Sequence, residues 1–314
     1  MNTPLSRREL LRRTAAAALG GLVLPAPVLA ALHEDNNQDR ARLRKWVQKL
    51  RAARLHAPAT PLGRGVARTG ELALGTLYEA YTLEAYLKAG GSPARTEPLT
   101  LSLTRFDCVS LVEACVAVAR VARAQQSASW EAFGREMERM RYRNGKREGY
   151  TSRLHYFSEW ISDNARRGLV RDLGAELGGV EDRRPLRFMT EHRDSYPALG
   201  DDGTFRVIGG LERALDSIPR RMIPTARIPE VSSQIQTGDI LAFATAIEGL
   251  DVTHTGLAYR DAGGTLRVLH APLSGGVVEI SRGTLPEYVG AIRRSTGILV
   301  ARPLPLPSRL RSGR

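Results

Sequence analysis

Apolar positions along the chain change their spacing part-way, and that change orders everything else. Residues 36–55 ("NNQDRARLRKWVQKLRAARL") repeat at helical spacing and predict a basic amphipathic helix. A loop rich in Pro and Gly comes next, then "GELALGTLYEAYTLEAYL" over residues 70–87 predicts a second helix. Residues 96–104 ("TEPLTLSLT") alternate apolar and polar positions, which predicts an extended approach to Cys108. From Cys108 to about Gln125, "CVSLVEACVAVARVARAQQ" is apolar on nearly every side, so this helix must lie inside a domain. Polar helical patterns return in "SWEAFGREMERMRYR" and "SRLHYFSEWISDNARRG", the latter stopped by Gly168 and carrying His155, Tyr156 and Trp160.

Residues 170–230 have few periodic runs; a short strand near "TFRVIGG" and a helical turn near "LERALDSI" are expected inside an irregular insertion. Beyond them "GDILAFAT", "THTGLAYR", "TLRVLHAP" and "GVVEISR" read as short strands of an antiparallel meander. Helices first and strands later predict an α+β domain spanning residues 31–301. The tail, residues 302–314, is basic and Pro-rich and is expected to be disordered.

The first thirty residues change the compartment. A positive stretch, a short apolar run from Thr14 to Leu24 and the small residues up to Ala30 have the layout of a cleaved export signal; the alternative is an uncut membrane anchor. Ser6-Arg7-Arg8-Glu9-Leu10-Leu11 resembles a twin-arginine signal, with Leu10 where an aromatic is usual. No later stretch is long and apolar enough to span a bilayer. Periplasmic or extracellular placement is therefore expected.

The formal charge is +13, and the signal accounts for only +3 of it. An acidic partner is implied, either nucleic acid, an anionic membrane surface or a carboxylate-rich polymer. The basic residues are scattered and no nucleic-acid-binding motif is present, which favours the polymer.

The only two cysteines, Cys108 and Cys115, lie seven residues apart on one predicted helix. That is about 10 Å along its axis, whereas a disulfide needs Cα atoms within about 7 Å. Both thiols are therefore expected to stay out of disulfides. Cys108 stands at the helix start, with Asp107 placed to cap it; unpaired N–H groups and the helix dipole there favour a thiolate and offer a donor to an oxyanion. Cys115 is expected to be structural.

A nucleophilic thiol needs a base. Of six histidines, His254 and His270 fall on neighbouring predicted strands sixteen residues apart, a separation that suits a hairpin. One imidazole would face the thiol and the other would hold the first in its tautomer. His33, His56 and His192 receive no role. Zinc-ligand spacings and nucleotide-binding glycine loops are not found, so no metal and no cofactor is expected.

"FDCVSLVE", "HTGLAYR" and "LHAPLSGGVVEI", with "RLHYFSEWISDN" and "LGTLYEAYTLE", resemble the N-acetylmuramoyl-L-alanine amidase-like proteins of the papain-like NlpC superfamily over roughly residues 65–290. The resemblance implies a cell-wall cysteine amidohydrolase in which a nucleophile helix packs on a small antiparallel sheet. Its nucleophile matches Cys108, its base His254 and its orienting residue His270; Tyr78 matches a wall of the site. Arg153, His155 and Tyr156 are candidate substrate contacts. The implied partner is peptidoglycan or its muropeptides, cut between the muramoyl group and L-alanine or within the stem peptide. The alternatives are a cell-wall-binding module without turnover and a thiol-dependent acyltransferase.

Overall fold

The computed structural model describes residues 37–306 apart from Thr96, Gln125 and Gln126. The export signal and the tail beyond Leu306 lie outside the described residues. Leu43, Trp46, Val47 and Leu50 line the buried face of helix α1 (Asn37–Ala52) at the expected spacing. Helix α2 (Leu62–Ala73) begins directly after Pro61 and ends before Gly75, whose φ of +78° turns the chain. The predicted helix over 70–87 is therefore displaced towards the N-terminus. Gly75 leads instead into strand β1 (Leu77–Tyr78), and a short helix α3 (Ala85–Lys88) comes after it.

The reason is close packing. A Cβ on Gly63 would lie 2.7 Å from the carbonyl of Thr237, and one on Gly70 would lie 2.8 Å from Leu269. Glycines that weaken a helix in isolation let this one sit hard against the sheet, and tertiary contact outweighs a propensity cost of about 1 kcal/mol each.

Strand β2 (Arg105–Phe106) pairs in parallel with β1 and leads into α4 (Cys108–Arg123). Residues 97–104 approach it without forming a strand, so the extended reading holds while the ladder is only two residues long. Helix α5 (Trp130–Arg141) is capped by the Ser129 hydroxyl. Helix α6 (Phe157–Arg166) starts later than its sequence pattern, leaving His155 in an extended lead and Tyr156 at the cap; Gly168 ends it in the left-handed conformation.

Residues 170–230 hold β3 (Val170–Asp172), β4 (Val180–Asp182), α7 (Phe188–Glu191), α8 (Asp202–Leu215), β5 (Arg220–Pro224) and α9 (Ile228–Val231). The expected strand near "TFRVIGG" is instead the first half of α8. Asp201 caps it by accepting the Thr204 N–H at 2.7 Å, and Thr204, Ile208, Glu212 and Leu215 form its buried stripe.

The meander is built from β6 (Ile240–Thr245), β7 (Val252–Arg260), β8 (Leu266–His270) and β9 (Glu279–Ile280), then α10 (Leu285–Ala291) and β10 (Ser295–Pro303). Among the described residues these strands form an eight-stranded sheet in the order β4-β5-β10-β6-β7-β8-β9, with β3 also on β10. β10 corrects the expected tail. It runs through Pro303, Arg302 binds Asp239 at 2.8 Å, and the Leu304 carbonyl accepts from Arg120.

Both faces of the sheet are covered. Ile240, Ala242, Leu257, Leu269 and Leu299 pack against α1, α2, α4, α5 and α6. Leu241, Phe243, Val268, Ile298 and Val300 pack against α9 and α10 through Ile228, Val231, Leu285 and Val289. Strand β6 is thus buried at all six positions, which explains its unbroken apolar run. The α+β reading stands. Among the described residues no helix is long and apolar enough to cross a membrane.

Candidate active site

Cys108 occupies the first helical position of α4. Asp107 precedes it in extended conformation, its carboxylate accepting the Ser110 N–H at 2.7 Å while the Ser110 hydroxyl accepts the Asp107 N–H at 2.9 Å. This reciprocal box fixes the helix entry, and with it the thiol. First-turn N–H groups lack an acceptor within the helix and carry the positive end of its dipole. Cys108 is half-buried, whereas Cys115 is sealed in the core and burial pushes its thiol pKa up. Neither forms a disulfide.

Two features aim the histidines. Asp251 accepts the Ser158 N–H at 2.8 Å, anchoring the turn into β7 on the first turn of α6. Register then places His254 opposite Phe243 of β6, with the rings stacked at 5.6 Å. Gly256 lies two residues on along the same face, where a Cβ would lie 3.1 Å from the His270 Cβ and 2.9 Å from Val268. The missing side chain opens the diagonal between His254 and His270. His254 Nε2 and His270 Nδ1 meet there at 2.8 Å.

Helix α10 closes the cluster. Thr284 and Glu287 form its capping box, Leu285 and Val289 bury one stripe, and Tyr288 on that side brings its hydroxyl to 3.2 Å from His270 Nδ1. Burial, the Cys108 sulfur and the Glu279 carboxylate together push the Tyr288 hydroxyl pKa up, so the phenol feels both the thiol and the carboxylate. Burial lowers His270 to about 4, and burial with the neighbouring His270 ring holds His254 well below the usual imidazole value. Both rings are therefore neutral at pH 7. A neutral imidazole has one donor and one acceptor nitrogen, so the two share one proton across the 2.8 Å contact.

Tyr78 is tied through its backbone to two segments that flank the site. Its strand pairs with the one entering Cys108, and its N–H donates to the Gly276 carbonyl, in the loop after His270, at 2.8 Å. The other sequence candidates have different surroundings. Arg153 is buried against Glu84 at 2.7 Å and Glu97 at 3.3 Å and lies over the Tyr150 ring. Tyr156 is buried and donates to Glu212 at 2.6 Å, tying α6 to α8. His155 is half-buried, with Nε2 at 2.9 Å from the Tyr150 carbonyl and its ring on that of Tyr150.

Sequence reading passed over Tyr288 and Asp251. A capping box in "GTLPEYVGA" was the available signal for Tyr288, because it fixes which turn of α10 faces the sheet.

A family model described as AmiA-like, N-acetylmuramoyl-L-alanine amidase-like, matches residues 68–298. Among solved structures, an N-acetylmuramoyl-L-alanine amidase from Bacteroides uniformis ATCC 8492 is similar at 30% identity, with 77% of this chain and 99% of that one covered and a TM-score of 0.70. A Bacteroides fragilis protein provisionally named a xylanase is similar at 32% identity, covering 74% of this chain and 99% of that one, with a TM-score of 0.67. A Legionella pneumophila protein shares the fold at 21% identity and a TM-score of 0.62, covering 88% of this chain and 97% of its own. No curated protein matches the chain.

Proposed function

Because the chain belongs to the AmiA-like, N-acetylmuramoyl-L-alanine amidase-like family, we propose that it is an exported cysteine amidohydrolase that cuts an amide of peptidoglycan. The fold assigned to it is the papain-like, NlpC type, and the bond is the one joining the muramoyl lactyl group to L-alanine or one within the stem peptide. The observation that carries the proposal is the 2.8 Å bond between His254 Nε2 and His270 Nδ1, together with Tyr288, which reaches His270 Nδ1 and feels the charge of the helix-start thiol Cys108.

With Nε2 engaged by His270, Nδ1 is the His254 nitrogen left for the thiol. His254 takes the thiol proton as Cys108 Sγ bonds to the amide carbon, and first-turn N–H groups of α4 receive the developing oxyanion. Collapse breaks the C–N bond, and His254 gives its proton to the departing amine. It then takes a proton from water, whose oxygen bonds to the thioester carbon. The C–S bond breaks, and the sulfur regains its proton from His254.

A net positive chain suits a polymer rich in carboxylates. The xylanase name of one relative points to different chemistry, since glycoside hydrolysis uses two carboxyl groups flanking the bond. Thiol, two imidazoles and phenol form an acyl-transfer set instead.

Purified sacculi incubated with the protein and with Cys108→Ala, followed by mass spectrometry of the released fragments, test this reading. Release is expected from the parent protein and lost by a factor of about 10⁴ in the variant. Equal release from both would end it, and the fragment masses identify the bond.

A further inference from the structure

His270 is 1% exposed, and while its Nδ1 is engaged by His254 and Tyr288, its Nε2 is buried without a hydrogen-bond partner. An imidazole nitrogen left so inside a protein costs free energy unless something approaches it. Among the described residues the Glu279 carboxylate approaches it, with Oε1 3.8 Å from Nε2.

That proximity is built by register. His270 and Glu279 stand directly opposite each other in the β8–β9 pair, so both side chains leave the same face. Gly275 makes room: a Cβ there would lie 3.1 Å from Glu279 Oε2. The carboxylate is half-exposed and therefore free to move the one ångström that separates 3.8 Å from an ordinary hydrogen bond of about 2.8 Å.

We propose that Glu279 is a positioning residue that accepts the His270 Nε2–H, and so selects the tautomer in which His270 Nδ1 accepts from His254 Nε2. The inference rests on the cysteine-hydrolase reading, because its purpose is to leave His254 Nδ1 as the lone pair facing the thiol. The order outward from sulfur is Cys108, His254, His270, Glu279. Of the described groups packed round His270, Tyr288 from α10 and His254 from β7 both address Nδ1, and Glu279 from β9 addresses Nε2. Carboxylates commonly fix an imidazole in this way from behind.

The test pairs kinetics with spectroscopy on the full chain. With muropeptides released from sacculi as substrate, Glu279→Ala is expected to lower kcat about 10- to 100-fold with KM within about twofold of the parent. Glu279→Gln, whose amide oxygen still accepts a hydrogen bond, is expected to recover most of that loss. Long-range ¹⁵N–¹H spectra of the histidine rings should show the His270 proton on Nε2 in the parent and in Glu279→Gln, and shifted towards Nδ1 in Glu279→Ala. An unchanged tautomer in Glu279→Ala, or a loss equal in the Ala and Gln variants, overturns the proposal. Should Cys108→Ala still cleave sacculi, the hydrolase reading falls alone, for the ring spectra report on Glu279 whatever the protein cuts.

Discussion

Arg153 and His270 are buried to similar depth, at 4% and 1% exposure, yet the protein treats them in opposite ways. Around Arg153 charge meets charge: Glu84 and Glu97 approach from one side, and Tyr142 donates to Glu97 at 3.1 Å. Around His270 the groups are neutral rings and a phenol, and one nitrogen is left pointing at a half-exposed carboxylate. The first arrangement holds extended segments together through paired charges. The second keeps basic lone pairs available. Burial alone does not mark a functional residue; here paired charges surround one side chain, and neutral hydrogen-bonding groups surround the other.

Breaking the arginine cluster is expected to have the larger effect on stability. Arg153→Ala leaves Glu97 buried without its cation, a change that costs about 3–5 kcal/mol. Urea unfolding would measure it, and the folded fraction should keep its KM. A raised KM with native stability would make Arg153 a substrate contact after all.

The two regions also respond to acid with opposite signs. Burial pushes the Glu97 carboxyl up, with Arg153 opposing, so on acidification the folded state takes up that proton first and gains relative stability. The imidazoles are pushed down. Unfolded histidine binds a proton as pH falls through about 6.5, while folded His270 does so only near 4, so stability contributed by its neutral burial is full above 6.5 and lost as pH falls towards 4. For His270 the loss is at most about 3 kcal/mol, and His254 adds to it in the same direction. Unfolding free energies at pH 7 and 4.5 for the parent and His270→Asn isolate this contribution. An equal acid loss in both would remove the histidine pair from the account.

The histidine half of this contrast was largely legible in the sequence, for a physical reason that also sets its limits; the pairing of Arg153 with Glu84 and Glu97 was not. The apolar run of α4, the cap at Asp107 and the alternating strands bearing His254 and His270 are local patterns, and local patterns survive folding. Most of helix α2 was hidden because Gly63, read as a loop residue, is a contact point with Thr237, as Gly70 is with Leu269, both far away in sequence. Helix α8 was hidden because Val207, Ile208 and two glycines resemble a strand unless the Asp201 cap is noticed first. In the site, His254 and His270 were nominated by strand spacing. Tyr288 and Glu279 depend on which face α10 presents and which residue of β9 stands opposite His270, and neither is written in any single segment.

The smallest expected effect sharpens the comparison most, because it separates the two acidic protons that compete for His270. Tyr288 and His254 both address Nδ1, at 3.2 and 2.8 Å, and the shorter contact is the stronger. Tyr288→Phe keeps the ring packed between Phe243 and His270 and removes only the hydroxyl. Since Nδ1 keeps its contact with His254, no buried acceptor is orphaned, and the stability cost should be about 1 kcal/mol or less. If Glu279 sets the tautomer, kcat should fall only a few-fold and the His270 proton should stay on Nε2. A loss comparable with that of Glu279→Ala, accompanied by movement of that proton, would transfer the tautomer-setting role from the carboxylate to the phenol.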